Sequence, residues 1–264
     1  MDYPGRSIAV GERDGAIVRA VKAQLNVALG LGRTDAAWLD PTDSTFGPRT
    51  RQAVRLFQAR QVDADGRPLR QDGAIGPVTW SRLFGARAVP SRETSTSALL
   101  ARLVAVARGE EARLVREVPA NSNRGPDVEA YLASTGTPPG NSWCAAFVYW
   151  CAVQAARQLD RPNPLVRTAG CLDHWRRAPG AGARRIPRAE VGADLAQLQP
   201  GMIFIMDHGR GLGHTGIIER IEGGKLITLE GNTDASRSRE GGGVYRLDRT
   251  LGMINKGFLD YSVS

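Results

Sequence analysis

The chain has 264 residues, 42% apolar and 23% charged, and carries 35 Lys and Arg against 27 Asp and Glu. It can bury one large or two ordinary cores without cross-links, and its three cysteines argue against a disulfide framework. No apolar run approaches the roughly 18 residues of a membrane-spanning helix, and the net charge of +8 suits a polyanionic partner without choosing among nucleic acid, an anionic membrane and an acidic wall polymer.

The first 15 residues, MDYPGRSIAVGERDG, lack a basic start followed by an apolar stretch, so no secretory signal is expected. Ile17, Val21, Leu25 and Leu29 then recur at helical spacing. After the turn-rich LDPTDSTFGPRT comes a second helical run, TRQAVRLFQARQ, with Val54, Phe57 and Gln61 on one face, and a third element closes at SRLF. The phrase with Gly-Pro followed by x-Thr occurs twice, as TFGPRT (45–50) and AIGPVT (74–79). Each Gly-Pro is expected to make a tight turn that stops what precedes it, and Thr50 and Thr79 to cap the helices that follow. The expectation is three short helices around a small core.

This order, VKAQLNVALG, FGPRTRQAVRLFQ, DGAIGPVTWSRLF, resembles the peptidoglycan-binding domain attached to many wall hydrolases, over roughly residues 13–84. The resemblance implies a module that holds its carrier on the glycan or stem peptide. The insertion around RTDAAWLDPTDS departs from the family pattern: it is longer than the usual loop and is expected to alter the binding groove.

From Gly85 to Ala98 the composition turns small and polar, GARAVPSRETSTSA, which reads as a linker. The expected organisation is therefore residues 1–84, a linker over 85–98, and a larger domain over 99–264.

In that domain NSWCAAFVYWC (141–151) holds two of the three cysteines. Asn141 or Ser142 is a fair N-cap and no Gly or Pro interrupts Trp143 to Leu159, so a helix is expected to begin near Cys144. Phe147, Val148 and Cys151 follow it at i+3, i+4 and i+7, which puts Cys144 on or beside a buried stripe, where a cysteine is ordinarily packing. A thiol in the first turn of a helix also feels the positive end of the macrodipole, which favours thiolate. A partner base decides between the two readings.

Of three histidines, His174 in LDHWRRA reads as structural or surface, and His208 lies in the glycine-rich MDHGRGLG. His214 opens HTGIIERI-EGG-KLITLEGN, a β-hairpin pattern. A three-residue loop, Glu222-Gly223-Gly224, pairs Ile221 with Lys225, Gly216 with Glu230 and His214 with Asn232. All three polar side chains then share a face. A two-residue loop would send His214 to the face opposite Glu230. A histidine beside a carboxylate and an amide is what nucleophilic cysteine catalysis needs.

SWCAAFVYWC, QPGMIFIM, GHTGIIERI and ITLEGNT, in this order over roughly 99–264, resemble the cysteine, histidine-dependent amidohydrolase/peptidase family, CHAP. The implied fold is α+β: a papain-like domain with a helix-borne Cys packed on an antiparallel sheet, joined by a linker to the small three-helix domain. By position the resemblance makes Cys144 the nucleophile, His214 the general base and then acid, and Glu230 or Asn232 the group that orients the ring. Cys151 and Cys171 read as packing residues; Cys171, in RTAGCLDHW, could compete as nucleophile, but no hairpin after it is in better order than the one that carries His214.

No metal or other cofactor is expected, since HExxH, paired CxxC and calcium-loop patterns are missing. The implied activity is a peptidoglycan hydrolase cutting an amide of the stem peptide or the muramoyl-alanine linkage. The alternatives are a wall-binding protein with a degenerate hydrolase domain, or a cysteine protease or deamidase acting on a protein. The expected partner is peptidoglycan, with an immunity protein if the product is a secreted toxin. Nucleic-acid binding, membrane insertion and oligomerisation are not expected. Synthesis in the cytoplasm and action at the wall would suit a phage-type endolysin or an injected effector.

Overall fold

A computed structural model of the chain describes residues 1–62, 68–85, 91–191, 195, 197–237 and 241–262. The chain divides into two compact units, Met1–Pro90 and Ser91–Ser264.

The first unit contains helices α1 (Gly15–Leu29), α2 (Pro48–Ala59) and α3 (Pro77–Phe84). Asp14 caps α1, its carboxylate accepting from the N–H groups of Ala16 and Ile17. The two Gly-Pro phrases begin helices rather than ending elements. Gly47 and Gly76 are the N-caps and Pro48 and Pro77 the first helical residues, while Thr50 and Thr79 lie buried in the first turns instead of capping. Proline suits that position because its missing N–H would have no intrahelical partner and its φ is already helical. Gln61 lies beyond the end of α2, and the buried glutamine is Gln58. Its amide holds the 72–74 turn, donating to Ala74 O and accepting from Gly73 N. Val18, Val21, Leu25, Val54, Phe57 and Trp80 form the core, with Phe84 stacked on Trp80 at 4.3 Å. The inserted segment is tied down by Asn26, whose side chain makes two hydrogen bonds to the Leu39 backbone, and by the ion pair of buried Lys22 with Asp43.

The second unit is α+β. Helices α4 (Ala98–Ala112), α5 (Pro126–Thr135), α6 (Cys144–Gln158) and α7 (Cys171–Arg177) accompany six strands: β1 (Arg184–Pro187), β2 (Ile203–Gly209), β3 (Leu212–Glu222), β4 (Lys225–Thr233), β5 (Gly243–Arg249) and β6 (Gly257–Asp260). The sheet is antiparallel in the order β1-β6-β2-β3-β4-β5. The apolar face of α6, Phe147, Val148, Cys151, Ala152 and Ala155, is buried in the core with Ile203, Ile205, Ile217 and Leu229 of the sheet. Its alanines and Gly231 let helix and sheet approach closely. A Cβ on Gly231 would lie 2.6 Å from the Trp143 ring and 2.8 Å from Phe147. This is a papain-like arrangement, with a cysteine at the start of a helix laid on an antiparallel sheet. Among the described residues no helix is long and apolar enough to cross a membrane.

Of the expected linker, residues 86–90 lie outside the described residues, and residues 91–97 are built into the second unit. Arg92 pairs with Ile221 through two backbone hydrogen bonds, Ser95 bonds Gln199, and Ser97 caps α4.

The β3–β4 hairpin differs from expectation in a way that matters. Its loop has two residues, not three: Glu222 pairs with Lys225, and Gly223 and Gly224 both take positive φ, at 56° and 76°. That is the backbone a two-residue turn needs if its twist is to match the strands. Alone it would turn His214 away from Glu230. A β-bulge between Ile218 and Arg220 adds one residue to β3 and restores the pairing of Ile217 with Leu229. The expected facing of His214 and Glu230 therefore arises from a shorter turn compensated by a bulge. The glycine-rich MDHGRGLG segment is likewise a hairpin, the end of β2 and the start of β3.

Candidate active site

Cys144 is the first residue of α6, but neither Asn141 nor Ser142 caps the helix. Trp143 occupies the N-cap and offers no side-chain acceptor. Trp143 is held instead by its indole, which donates to Glu117 Oε1 at 2.9 Å, while Glu117 Oε2 accepts from the backbone of Ser122 and Asn123. The start of α6 is thus anchored by side-chain packing, and its first N–H groups are left without a capping oxygen.

His214 sits on β3, 1% exposed. Its Nε2 is 2.8 Å from Glu230 Oε2. Burial alone would raise the Glu230 carboxyl, but hydrogen bonds from Arg249 and His214 outweigh it and hold the group down at about 2. An ionised carboxylate only accepts, so Nε2 carries the proton and Nδ1 is the basic nitrogen. Nδ1 is buried and has no hydrogen-bond partner among the described residues.

Two further residues fix Glu230. Arg249 donates from Nε to Oε1 at 2.6 Å and from Nη2 to Oε2 at 2.5 Å, and the Thr228 hydroxyl donates to Oε1. The Arg249 guanidinium also lies over the Phe204 ring, 5.4 Å from its centroid. Gly216 makes room for this, because a Cβ there would lie 2.7 Å from Glu230 Cγ and 2.8 Å from Phe204.

Cys144 is 5% exposed and faces a cleft of about 260 Å³ lined also by Ser142, Cys171, Leu212, Gly213 and Asn232. Its thiol accepts from the backbone N–H groups of Ala145 and of Thr215, the residue after His214, which places it alongside the strand that carries the imidazole. A hydrogen bond with the Cys171 thiol, followed by burial, pushes Cys144 well above its ordinary value. The same hydrogen bond pulls Cys171 down. Cys144 at rest is accordingly a protonated thiol turned to Cys171, not an ion pair with His214.

Of the four residues expected to carry chemistry, the structure therefore joins His214 to Glu230 by a hydrogen bond and sets Cys144 and Asn232 on one cleft. Glu230, not Asn232, bonds the imidazole. Asn232 is buried at the end of the hairpin with φ of 59°. Cys171, read from the sequence as packing, is the first residue of α7 and a wall of the cleft. Cys151 is enclosed in the core. His174 is 2% exposed and bonded to the Tyr261 hydroxyl at 2.9 Å, a structural role, and His208 is exposed at the end of β2. Sequence reasoning missed Arg249, Thr228 and Glu117. The only signal for Gly216 was the GHTG phrase itself. Among the described residues no group of three His, Cys, Asp or Glu is disposed to hold a metal ion.

Residues 136–232 match the family model of the CHAP domain. The second unit carries a CHAP domain, which spans Cys144, His214, Glu230 and Asn232 and points to an amidase- or peptidase-type hydrolase of peptidoglycan. No curated protein and no solved structure matches the chain.

Proposed function

We propose that the chain is a cysteine-dependent peptidoglycan hydrolase that cuts an amide of the stem peptide or the muramoyl-alanine linkage. The observation that carries this reading is the oriented imidazole. Glu230 holds Nε2–H, which leaves the buried Nδ1 lone pair unpartnered among the described residues, on the strand whose Thr215 N–H meets the Cys144 thiol. Substrate entering the cleft displaces the Cys171 contact, and Nδ1 takes the Cys144 proton as the sulfur attacks the amide carbonyl. The uncapped start of α6 and the Asn232 amide are the groups that would receive the oxyanion. The imidazolium then protonates the leaving amine, and water activated by the same nitrogen releases the acyl group from the thioester. Glu230 stays ionised throughout and keeps the ring in one tautomer.

The first unit, by its resemblance to wall-binding modules, would hold the enzyme on the polymer and raise the effective substrate concentration. The basic surface favours an anionic wall. Such an enzyme fits either an endolysin or an effector delivered to a neighbouring cell, where a co-produced immunity protein would occupy the cleft.

The test is digestion of purified peptidoglycan by the full chain and by Cys144→Ala, with fragments identified by mass spectrometry. Fragments from the wild type alone support the reading, and their new termini name the bond. If neither protein releases fragments while both pellet with the wall, the chain is a binding protein with a degenerate hydrolase domain.

A further inference from the structure

We propose that Cys144 and Cys171 form a redox pair in which the second thiol captures the oxidised form of the first as a reversible disulfide. The inference rests on the reading of Cys144 as the nucleophile and assigns Cys171 a task that the hydrolytic cycle does not use.

Both sulfurs face the same cleft and hydrogen-bond each other, although the residues are far apart in sequence and on different helices. The backbone is shaped around this contact. A Cβ on Gly213, the residue before His214, would lie 2.7 Å from Cys171 Sγ. A side chain at 213 would displace the sulfur. Thiols already in contact reach the roughly 2 Å bond of a disulfide by side-chain rotation. The third cysteine is an internal contrast, since Cys151 is fully buried in the core, at 0% exposed. Cys144 and Cys171 are 5% and 6% exposed, enough for a small oxidant to arrive through the cleft that admits substrate.

The reaction balances with a peroxide as oxidant. One sulfur attacks the O–O bond and becomes a sulfenic acid as the first water leaves. The neighbouring thiol then attacks that sulfur, the S–S bond forms, the S–O bond breaks, and the oxygen departs as the second water with the thiol's proton. The pair loses two electrons and the peroxide gains them. The lowered Cys171 thiol supplies thiolate for this exchange. With Cys144 in the disulfide no nucleophile remains, and a dithiol restores it. Without Cys171 the Cys144 sulfenic acid is exposed to further oxidation to sulfinic acid, which a dithiol does not reverse.

The full chain is treated with hydrogen peroxide, blocked with an alkylating reagent under denaturing conditions, and digested without reduction for mass spectrometry. The expected product is a crosslinked Cys144–Cys171 peptide with Cys151 alkylated. Peptidoglycan hydrolysis should be lost and then recovered with dithiothreitol, whereas Cys171→Ser, judged against its own reduced activity, should lose hydrolysis without recovery. Cys144 sulfinic acid with no crosslink in the wild type, or equal recovery in both proteins, would overturn the proposal. The crosslink is read by mass on the wild-type chain, so it decides the matter even if the serine variant fails to fold. If the reduced wild type does not hydrolyse peptidoglycan, the hydrolase reading fails separately while the crosslink still reports on the thiol pair.

Discussion

Arg249 grips both carboxylate oxygens of Glu230, through Nε at 2.6 Å and Nη2 at 2.5 Å, on the carboxylate that also receives His214 Nε2. A buried carboxylate facing only an imidazole would give up its charge or its position. The bidentate guanidinium supplies two charge-assisted hydrogen bonds and keeps the group an acceptor.

Replacing Arg249 with Met should leave that carboxylate buried without its cation, at a cost of about 3 kcal/mol or more. It should also raise the Glu230 pKa from about 2, so that the carboxyl protonates and releases the ring at a higher pH. The expected result is a fall in kcat on the order of 100-fold, with the acid limb of the pH–rate profile moved upward. Lys, with one cation but no fork, should recover part of the stability and less of the rate. An R249M enzyme with wild-type kcat and an unmoved acid limb would rule out this positioning role.

Gly216 is a steric test of the same assembly. Alanine there meets Glu230 Cγ at 2.7 Å and Phe204 at 2.8 Å, and neither can retreat, because Glu230 is held by three groups and Phe204 is in the core. G216A should lose about 1–3 kcal/mol in denaturant unfolding. The loss in kcat should exceed the loss in substrate binding, since the collision bears on the residue that orients the base. Unchanged stability and kcat together would show that the close approach is not enforced.

How far this site could be read from sequence depends on which contacts are local. A helix beginning at Cys144 follows from an uninterrupted apolar run, and the strand carrying His214 follows from its alternation. The facing of His214 and Glu230 emerged correctly from the wrong turn. Gly223-Gly224 makes a two-residue loop, and the bulge at Glu219 adds back the residue that the loop removes. A bulge leaves no mark in hydrophobic pattern here, because Ile217, Ile218 and Glu219 are all buried. Arg249 was invisible for another reason. It is one of 35 basic residues, and only the β4–β5 pairing shows that its chain turns inward while most of the others meet solvent. Cys171 likewise became part of the cleft only when α7 was placed beside β3.

The bulge itself can be tested by length. Deleting Glu219 removes the extra residue and leaves Arg220 opposite Ile227 and Ile218 opposite Thr228 in an unbulged ladder, so the Gly223-Gly224 turn and the face of His214 are both kept. Glu219→Ala keeps the count but loses the ion pairs to Arg108 and Arg246. Stability should fall in both variants. Hydrolysis per folded molecule, with the folded fraction taken from circular dichroism, should persist in both. Loss of hydrolysis from a folded deletion variant would mean that the bulge does more than absorb one residue of β3.

His174 should give the protein a marked acid sensitivity that is independent of catalysis. Burial drives its imidazole down to about 4, from 6.5 in an exposed chain, and the ring is packed neutral against Tyr261. Between those two values the unfolded chain binds a proton that the folded chain refuses. Stability therefore falls as pH drops from 6.5 to 4, by about 3 kcal/mol for this one group. Glu230 adds its own loss only further down, between the ordinary carboxylate range and about 2. Urea unfolding of the wild type and of His174→Gln, which retains a partner for the Tyr261 hydroxyl, should diverge in slope across pH 6.5 to 4.5. The glutamine variant should be the flatter of the two. Parallel curves over that window would show that His174 does not titrate as its burial requires, and that the acid loss originates in other groups.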